Sequence, residues 1–269
     1  MRKMKKWSRM LLVTGLVLGS CSQNADLQIG GDDEQGLLSL VVNAEADFTH
    51  TRAVVESSYK NIDNYTVVVT DKDGRERMNC RVSEIDTKMP LILSVGSYAV
   101  KAYYGVEHPA SRDEFYVLGE ATGNIKAGQK ETVEVVCTPT CGRITVNFNK
   151  NMSTYYSDYH VTFSGTEALG GESISWLKGD TAPWYVKLKE GGEEIAFTIT
   201  TTPKEEYINN QQQGATKTGT FRLDRNKAYK MNISANYTPT IFGELEIEIT
   251  IDDSTNDKPV EIEVPIEWI

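Results

Sequence analysis

Histidine and cysteine are scarce in this 269-residue chain, with 3 and 4 copies, its 38 acidic residues are dispersed, and the spacing of these groups serves little chemistry. The three histidines, His50, His108 and His160, stand far apart in no recognisable motif, so neither a nucleophile with its base nor a metal set is spelled out around them. Cys137-Thr138-Pro139-Thr140-Cys141 lacks zinc-ribbon spacing. A disulfide inside it would need a tight bend, because four extended residues separate α-carbons by roughly 13 Å against a limit near 7 Å. With Cys80 these make three cysteines downstream of Cys21, so at most one pair closes within a molecule; the reading adopted is small, buried, apolar side chains. The acidic turns at Asp73-Gly74 and Asp252 to Asp257 do not have the spacing of an EF-hand loop. No catalytic set, metal or cofactor is expected, and the chain reads as a non-enzyme. The remaining candidates are aromatic: exposed faces of Trp176, Trp184 and Tyr185, with Tyr155 and Tyr156 nearby, would carry sugar rings, whereas core or edge packing is the other reading.

Composition narrows the class further. The chain is 39% hydrophobic and 25% charged, too polar for a multi-span membrane protein. Its formal charge of −10 and pI near 4.9 argue against a phosphate-neutralising surface, and so against nucleic acid as a partner. The first twenty residues have a basic start (Met1 to Arg9), an apolar run (Met10 to Leu18) and a small pair, Gly19-Ser20, the pattern of a secretory signal. The apolar run is too short to span a bilayer, which takes about 20 residues. Cys21 supplies the anchor: Leu18-Gly19-Ser20-Cys21 resembles the bacterial lipobox, in which lipid is attached to the thiol and cleavage makes that Cys the new N-terminus. Each acyl chain contributes about 0.8 kcal/mol per buried methylene, so several on one Cys hold the protein at a membrane. Removing residues 1–20 takes away Arg2, Lys3, Lys5, Lys6 and Arg9 and no acid, moving the formal charge from −10 to −15. Residues 21–35, with Gly30-Gly31-Asp32-Asp33-Glu34, read as a flexible tether.

Beyond the tether, period-two runs dominate: Tyr65–Thr70, Leu91–Leu93, Tyr98–Tyr103, Thr132–Cys137, His160–Phe163 and Ile195–Thr200 are rich in β-branched and aromatic residues. Asp73-Gly74 and Gly191-Gly192 read as hairpin turns between such runs. The fold class is all-β. One pattern recurs. Gly36-Leu37-Leu38-Ser39-Leu40-Val41-Val42 matches Gly142-Arg143-Ile144-Thr145-Val146-Asn147-Phe148 and Gly243-Glu244-Leu245-Glu246-Ile247-Glu248-Ile249, each a glycine followed by apolar residues at alternate positions. Successive copies lie 106 and 101 residues apart, close to the size of a small β-sandwich. Asn64-Tyr65-Thr66-Val67 is echoed by Asp158-Tyr159-His160-Val161, and Leu93 to Val100 loosely by Leu223 to Met231. These periods place one β-sandwich at 36–137 and a second at 141–269, with Thr138-Pro139-Thr140 as a short joint whose proline blocks a continuous ladder. The third copy is surplus; with residues 258–264 it makes a hairpin that either closes the second domain or is offered to another molecule, its edge guarded by Glu244, Glu246, Glu248, Glu261 and Glu263.

The lipobox, the early Gly-x-Leu-x-Leu-x-Val strand, the Asn64-Tyr65 and Asp158-Tyr159 strand starts and Leu93 to Val100, in that order, resemble the fimbrillin-like lipoproteins of Gram-negative anaerobes, subunits of type V pili and related cell-adhesion proteins. The resemblance implies two tandem transthyretin-like Greek-key β-sandwiches, export to the outer membrane or into fimbriae, and maturation by a trypsin-like protease cutting behind the first strand. The groove so opened is filled by a strand of a neighbouring subunit, of the same or another kind. In this chain Arg52 is the only Lys or Arg between Cys21 and Tyr59, which makes Arg52-Ala53 the candidate cleavage bond; a solvated loop residue is the other reading. Leu38, Leu40 and Val42 are then the exchangeable strand, and Leu245, Ile247 and Ile249, or the stretch 260–266, the candidate donor. If the last hairpin is locked into the second domain, the molecule is a tip or anchor and not a stalk subunit. The rival reading is a lipid-anchored glycan-binding protein using Trp176, Trp184 and Tyr185. No cofactor is implied, and the surface ligand is not written in the sequence.

Overall fold

The computed structural model describes residues 34–45, 58–86, 89–207, 216–238, 244–253, 261–262 and 267–268. The signal segment, most of the tether, Cys21, Arg52 and Ala53 lie outside the described residues. The first half contains β1 (Gln35–Ala44), β2 (Thr66–Asp71), β3 (Glu76–Arg81), β4 (Leu91–Ser94), β5 (Gly96–Tyr104), β6 (Ala110–Ser111), β7 (Val117–Ile125) and β8 (Lys130–Pro139). The second begins with β9 (Cys141–Phe148) and one helical turn, α1 (Met152–Tyr155). It continues through β10 (Tyr156–Ser164), β11 (Ile174–Leu177), β12 (Trp184–Lys187), β13 (Glu193–Pro203), β14 (Thr216–Leu223), β15 (Ala228–Thr238) and β16 (Glu244–Asp253), with the short β17 (Glu261–Ile262) and β18 (Glu267–Trp268). The chain is all-β. Period-two patterning explains the choice: on β8, Val133, Val135 and Cys137 are buried while Thr132, Glu134 and Val136 face outward, a pattern that only an extended chain converts into one dry face.

The first half is one sheet in the order β3-β2-β5-β7-β8-β1-β4. It doubles back on itself, since Leu38 of β1, Val67 of β2 and Val100 of β5, far apart in that order, share one core. The fold line is β7–β8, where Val117↔Pro139 and Leu118↔Thr138 are paired; farther along, Gly119 lets β7 cross against Val135 and the Cys137 sulfur, because a β-carbon there would sit 2.8 Å from both. The second half has the same order in two sheets: β11-β10-β13-β14 repeats β3-β2-β5-β7, and β15-β9-β12 repeats β8-β1-β4. The additions are β16 and β17 outside β15, β18 beside β14 and β6 beside β12. In both halves the first strand runs parallel to one neighbour and antiparallel to the other: β1 to β8 and β4, β9 to β15 and β12. The second core gathers Ile144, Phe163, Trp176, Phe197 and Met231 between its sheets.

Several sequence expectations need amendment. Gln35, assigned to the tether, already pairs with Ser94 as the start of β1. Thr138 and Pro139 belong to β8, not to a joint; Pro139 sits at the strand's last position, beyond the end of the pairing with β1 at Cys137, and Thr140 alone separates β8 from β9. Gly191-Gly192, both at positive φ, turns the chain between strands of different sheets, so it is not a hairpin turn. Asp73-Gly74 does close the β2–β3 hairpin, with the Asp71 carboxylate accepting from the Asp73 and Arg75 N–H groups at 2.9 Å each. The echo between Leu93–Val100 and Leu223–Met231 joins non-equivalent elements, since β4–β5 corresponds in order to β12–β13 and β14–β15 to β7–β8. The three cysteines Cys80, Cys137 and Cys141 are buried thiols, none of them in a disulfide.

A strap from the first half locks the two halves together. Between β5 and β7 the chain crosses over, and β6 adds to the second half's sheet through Ser111↔Tyr185 and Ala110↔Val186. Arg112 then donates to both Asp180 carboxylate oxygens, at 3.0 and 2.6 Å, and to the Ser175 carbonyl at 2.8 Å, with its guanidinium 4.7 Å from the Trp184 ring centre. Phe115 packs on Tyr185 with ring centres 4.9 Å apart, and Glu107 pairs with Lys187 at 3.0 Å. A planar, bidentate guanidinium stacked on an aromatic face is a geometry lysine does not reproduce.

Arg112→Ala is therefore expected to lower unfolding stability by about 1–3 kcal/mol in urea titration and to open residues 105–116 to limited proteolysis, with Arg112→Lys recovering little. Burial also pushes the Cys137 thiol, ordinarily near 9.0, and the Tyr156 phenol, ordinarily near 10.0, up to about 12, and raises Tyr65 as well. Because these folded-state values lie above the unfolded ones, the stability they represent is whole below about pH 9 and is lost as pH climbs toward 12. Urea midpoints measured from pH 8 to 12 should fall across that window.

Candidate functional site

β1 has the form of a site. Its residues alternate, with Gly36, Leu38 and Val42 buried and Leu40 and Ala44 half-buried against the first core, while Val41 faces solvent. Leu38 is 1% exposed and Val42 7%, so the candidate exchangeable residues face the interior, Leu38 most completely. Gly123 of β7 lets that strand approach β8 beside Leu38: a β-carbon on it would lie 2.7 Å from a Val133 methyl and in ordinary contact, 3.7 Å, with a Leu38 methyl.

Main-chain bonding holds β1 on both sides. It runs parallel to β8 from Leu37↔Lys130 to Ala44↔Cys137, with the Leu37 N–H donating to Gln129 O at 2.8 Å and the Glu45 N–H to Cys137 O at 2.9 Å. On the other side Gln35 to Leu38 pair antiparallel with Ser94 to Leu91. The Val95 N–H donates to Glu34 O at 2.8 Å and the Gly128 N–H to Gln35 O at 2.7 Å. Asn43 reaches across the outer face to Glu134, at 2.5 Å. Gly36 lies so close to the 125–129 turn that a β-carbon would run into the Lys126 carbonyl oxygen and approach the Ile125 methyl at 2.7 Å. At Gly142, the second residue of β9, a β-carbon would be crowded by a Leu188 methyl at 2.9 Å. In both strands the leading glycine serves close approach and not turning, since neither has positive φ.

The remaining candidates fall elsewhere. Trp176 is fully buried, its indole N–H donating to Ala182 O at 2.7 Å, and Tyr185 is 2% exposed under Phe115. Trp184 is half-buried with the Arg112 guanidinium over its ring. The three are brought together, but as the packing of the strap and the second core, and Trp176 and Tyr185 have no face to offer a sugar. Tyr156 is likewise buried, and Tyr155 packs in a three-ring cluster with Tyr207 and Tyr237, centres 5.1–5.5 Å apart.

The candidate donor lies in β16, which pairs antiparallel with β15 along its whole length, from Thr238↔Glu244 to Tyr229↔Asp253. Ile247 and Ile249 are buried in the second core; the backbone of Leu245 pairs with Tyr237. Lys217 of β14 was not singled out by sequence. Buried on the inner face of the opposite sheet, it donates from Nζ to the Ile247 carbonyl at 2.8 Å, a charge-assisted bond holding β16 to its own domain. Its only signal was a lysine at an inward position of an alternating strand. His108 pairs with Glu114 at 2.8 Å within the strap, and among the described residues no group of three His, Cys, Asp or Glu side chains is placed to hold a metal ion.

A fimbrial assembly protein from Parabacteroides distasonis is similar at 13% identity and a TM-score of 0.44, over 87% of this chain and 98% of that one. A candidate cell adhesion protein from Bacteroides eggerthii is similar at 11% identity and a TM-score of 0.42, covering 82% and 97%. The fimbrial anchor protein Mfa2 from Porphyromonas gingivalis is similar at 13% identity and a TM-score of 0.37, covering 81% and 98%. No curated protein sequence matches the chain. One family model spans residues 34–266, and the chain belongs to that family, described as a domain of unknown function, DUF4493.

Proposed function

We propose that this chain is a non-catalytic, fimbrillin-like surface lipoprotein, a pilus subunit or adhesin, in which β1 is an exchangeable strand. The observation that carries the reading is the setting of β1. It is an inner strand, bonded to β8 and β4 and burying Leu38 and Val42, yet it is the first strand among the described residues and is joined to Tyr59, the next buried residue of the first core among them, through a stretch whose only Lys or Arg is Arg52. Its loss would expose apolar surface worth about 1.5–3 kcal/mol per fully buried side chain together with two unpaired sheet edges, a strong acceptor for an incoming strand. Lipid on Cys21 anchors the uncut form at the outer membrane, and cutting would release the body from that anchor. The uncut body comprises two sandwiches, one running from β1 to the end of β8 and one from β9 onward. β16 is engaged with β15, which favours a molecule that accepts a strand over one that donates β16, and so a tip or anchor.

Two results test this. Limited trypsin treatment of the isolated protein should yield a species beginning at Ala53 and, on incubation with partner subunits, ladders resistant to mild detergent; both should vanish in Arg52→Ala. Ladders unaffected by that substitution would sink the reading. Leu38→Ala should cost about 2–5 kcal/mol of stability in the uncut chain, whereas Ser39→Ala, on the opposite face, should change it little.

A further inference from the structure

Resting on the strand-exchange reading, we infer that the β1 groove selects its occupant by a glycine that sets register and by an uncharged outward residue five positions later. The first element comes from the 125–129 turn. A β-carbon at position 36 collides with the Lys126 carbonyl, meets the Ile125 methyl at 2.7 Å and the Gln129 carbonyl at 3.0 Å. These are mainly backbone obstacles, in a turn closed on itself by the Gln129 N–H bond to the Lys126 carbonyl at 3.2 Å, and they do not step aside as the end of a long side chain would. Any strand seated here, parallel to β8 and antiparallel to β4, must present glycine at that one place. A slip of one residue would put a side chain against the turn and also turn the apolar set outward. Glycine is therefore the key that aligns the apolar residues at +2, +4 and +6 with the seats of Leu38, Leu40 and Val42.

The second element comes from the outer face of β8. Val41 stands directly opposite Glu134, and Asn43, two residues on, donates to that same carboxylate. An acidic residue at the Val41 position would face a like charge across the ladder and remain next to the Asn43 seat. The chain's own third copy of the template fails here. With Gly243 laid on Gly36, Glu248 falls opposite Glu134, and its Ile247 and Ile249 are already buried in the second core. The second copy, from Gly142 to Asn149, meets the pattern but is held as β9 between β15 and β12, so the occupant is a strand of a different subunit, reading glycine, then apolar residues at +2, +4 and +6, with a neutral residue at +5 and a hydrogen-bond donor at +7.

The test uses the full chain after limited trypsin treatment and four labelled peptides: residues 35–44 as they stand, the same with Gly36→Leu, the same with Val41→Glu, and residues 242–251. Binding is read by fluorescence anisotropy, and release of the cut segment by mass spectrometry. The unaltered peptide should bind, Gly36→Leu at least tenfold more weakly, and Val41→Glu and residues 242–251 two- to fivefold more weakly, as expected for like charges paired across strands. Equal affinity of the Gly36→Leu peptide would overturn the register key, and equal affinity of the other two would overturn the charge rule. Absence of binding by every peptide, whether the cut segment stays seated or the cut chain loses its β-sheet circular dichroism, would overturn the exchange reading beneath them. In the uncut chain, Gly36→Ala should lower Tm; an unchanged Tm would also overturn the register key.

Discussion

Main-chain hydrogen bonding on both sides of β1 is the constraint on which the first sandwich rests. β8 and β4 do not pair with each other; β1 stands between them, so the layer β8-β1-β4 exists only while that place is filled. Leu38 and Val42 add apolar burial to the same strand, but direction and register come from the ladders and from Gly36 against the 125–129 turn. The need for an extended segment in this place is separable from the identity of the chain that supplies it. Sheet edges accept any strand that meets their spacing and side-chain demands.

The second sandwich repeats the arrangement and then departs from it. β9 holds the place of β1, between β15 and β12, but follows β8 after the single residue Thr140 and cannot be released without breaking the junction. β7 and β8 remain paired at the fold line of the first half, whereas β14 and β15 lie in different sheets; this leaves an edge of β15, which β16 covers. The strap through Arg112, Phe115 and β6 joins the halves by ladder bonds, a stacked guanidinium and an aromatic contact, so a load applied at one half is passed to the other through several bonds besides the chain itself.

Much of this was legible in the residues because the signals are local. Alternation in Tyr65–Thr70, Thr132–Cys137 and Ile195–Thr200 marks β2, β8 and β13, and glycine-led repeats mark β1 and β9 as corresponding strands. The third repeat shows the limit. It has the same pattern as β1, yet β16 runs antiparallel to its neighbour β15 and lies on the opposite side of it from β9. Alternation specifies a face, not a place in a sheet. Trp176, Trp184 and Tyr185 illustrate the same point, since an aromatic side chain looks identical in sequence whether it faces a ligand or a strap from another domain.

The sequence by itself determined the strand class, the identity of the inward residues along β1 and the presence of one Lys or Arg between Cys21 and Tyr59, because side-chain period and residue type are properties of the chain taken a few residues at a time. Only the tertiary structure decided that β1 is flanked on both sides, that Gly36 is needed for a close approach to Lys126, that Lys217 holds β16 to its own domain and that Arg112 spans the two halves. Each of these depends on residues distant in the chain reaching hydrogen-bonding or van der Waals distance, and no local period encodes which distant segment will arrive.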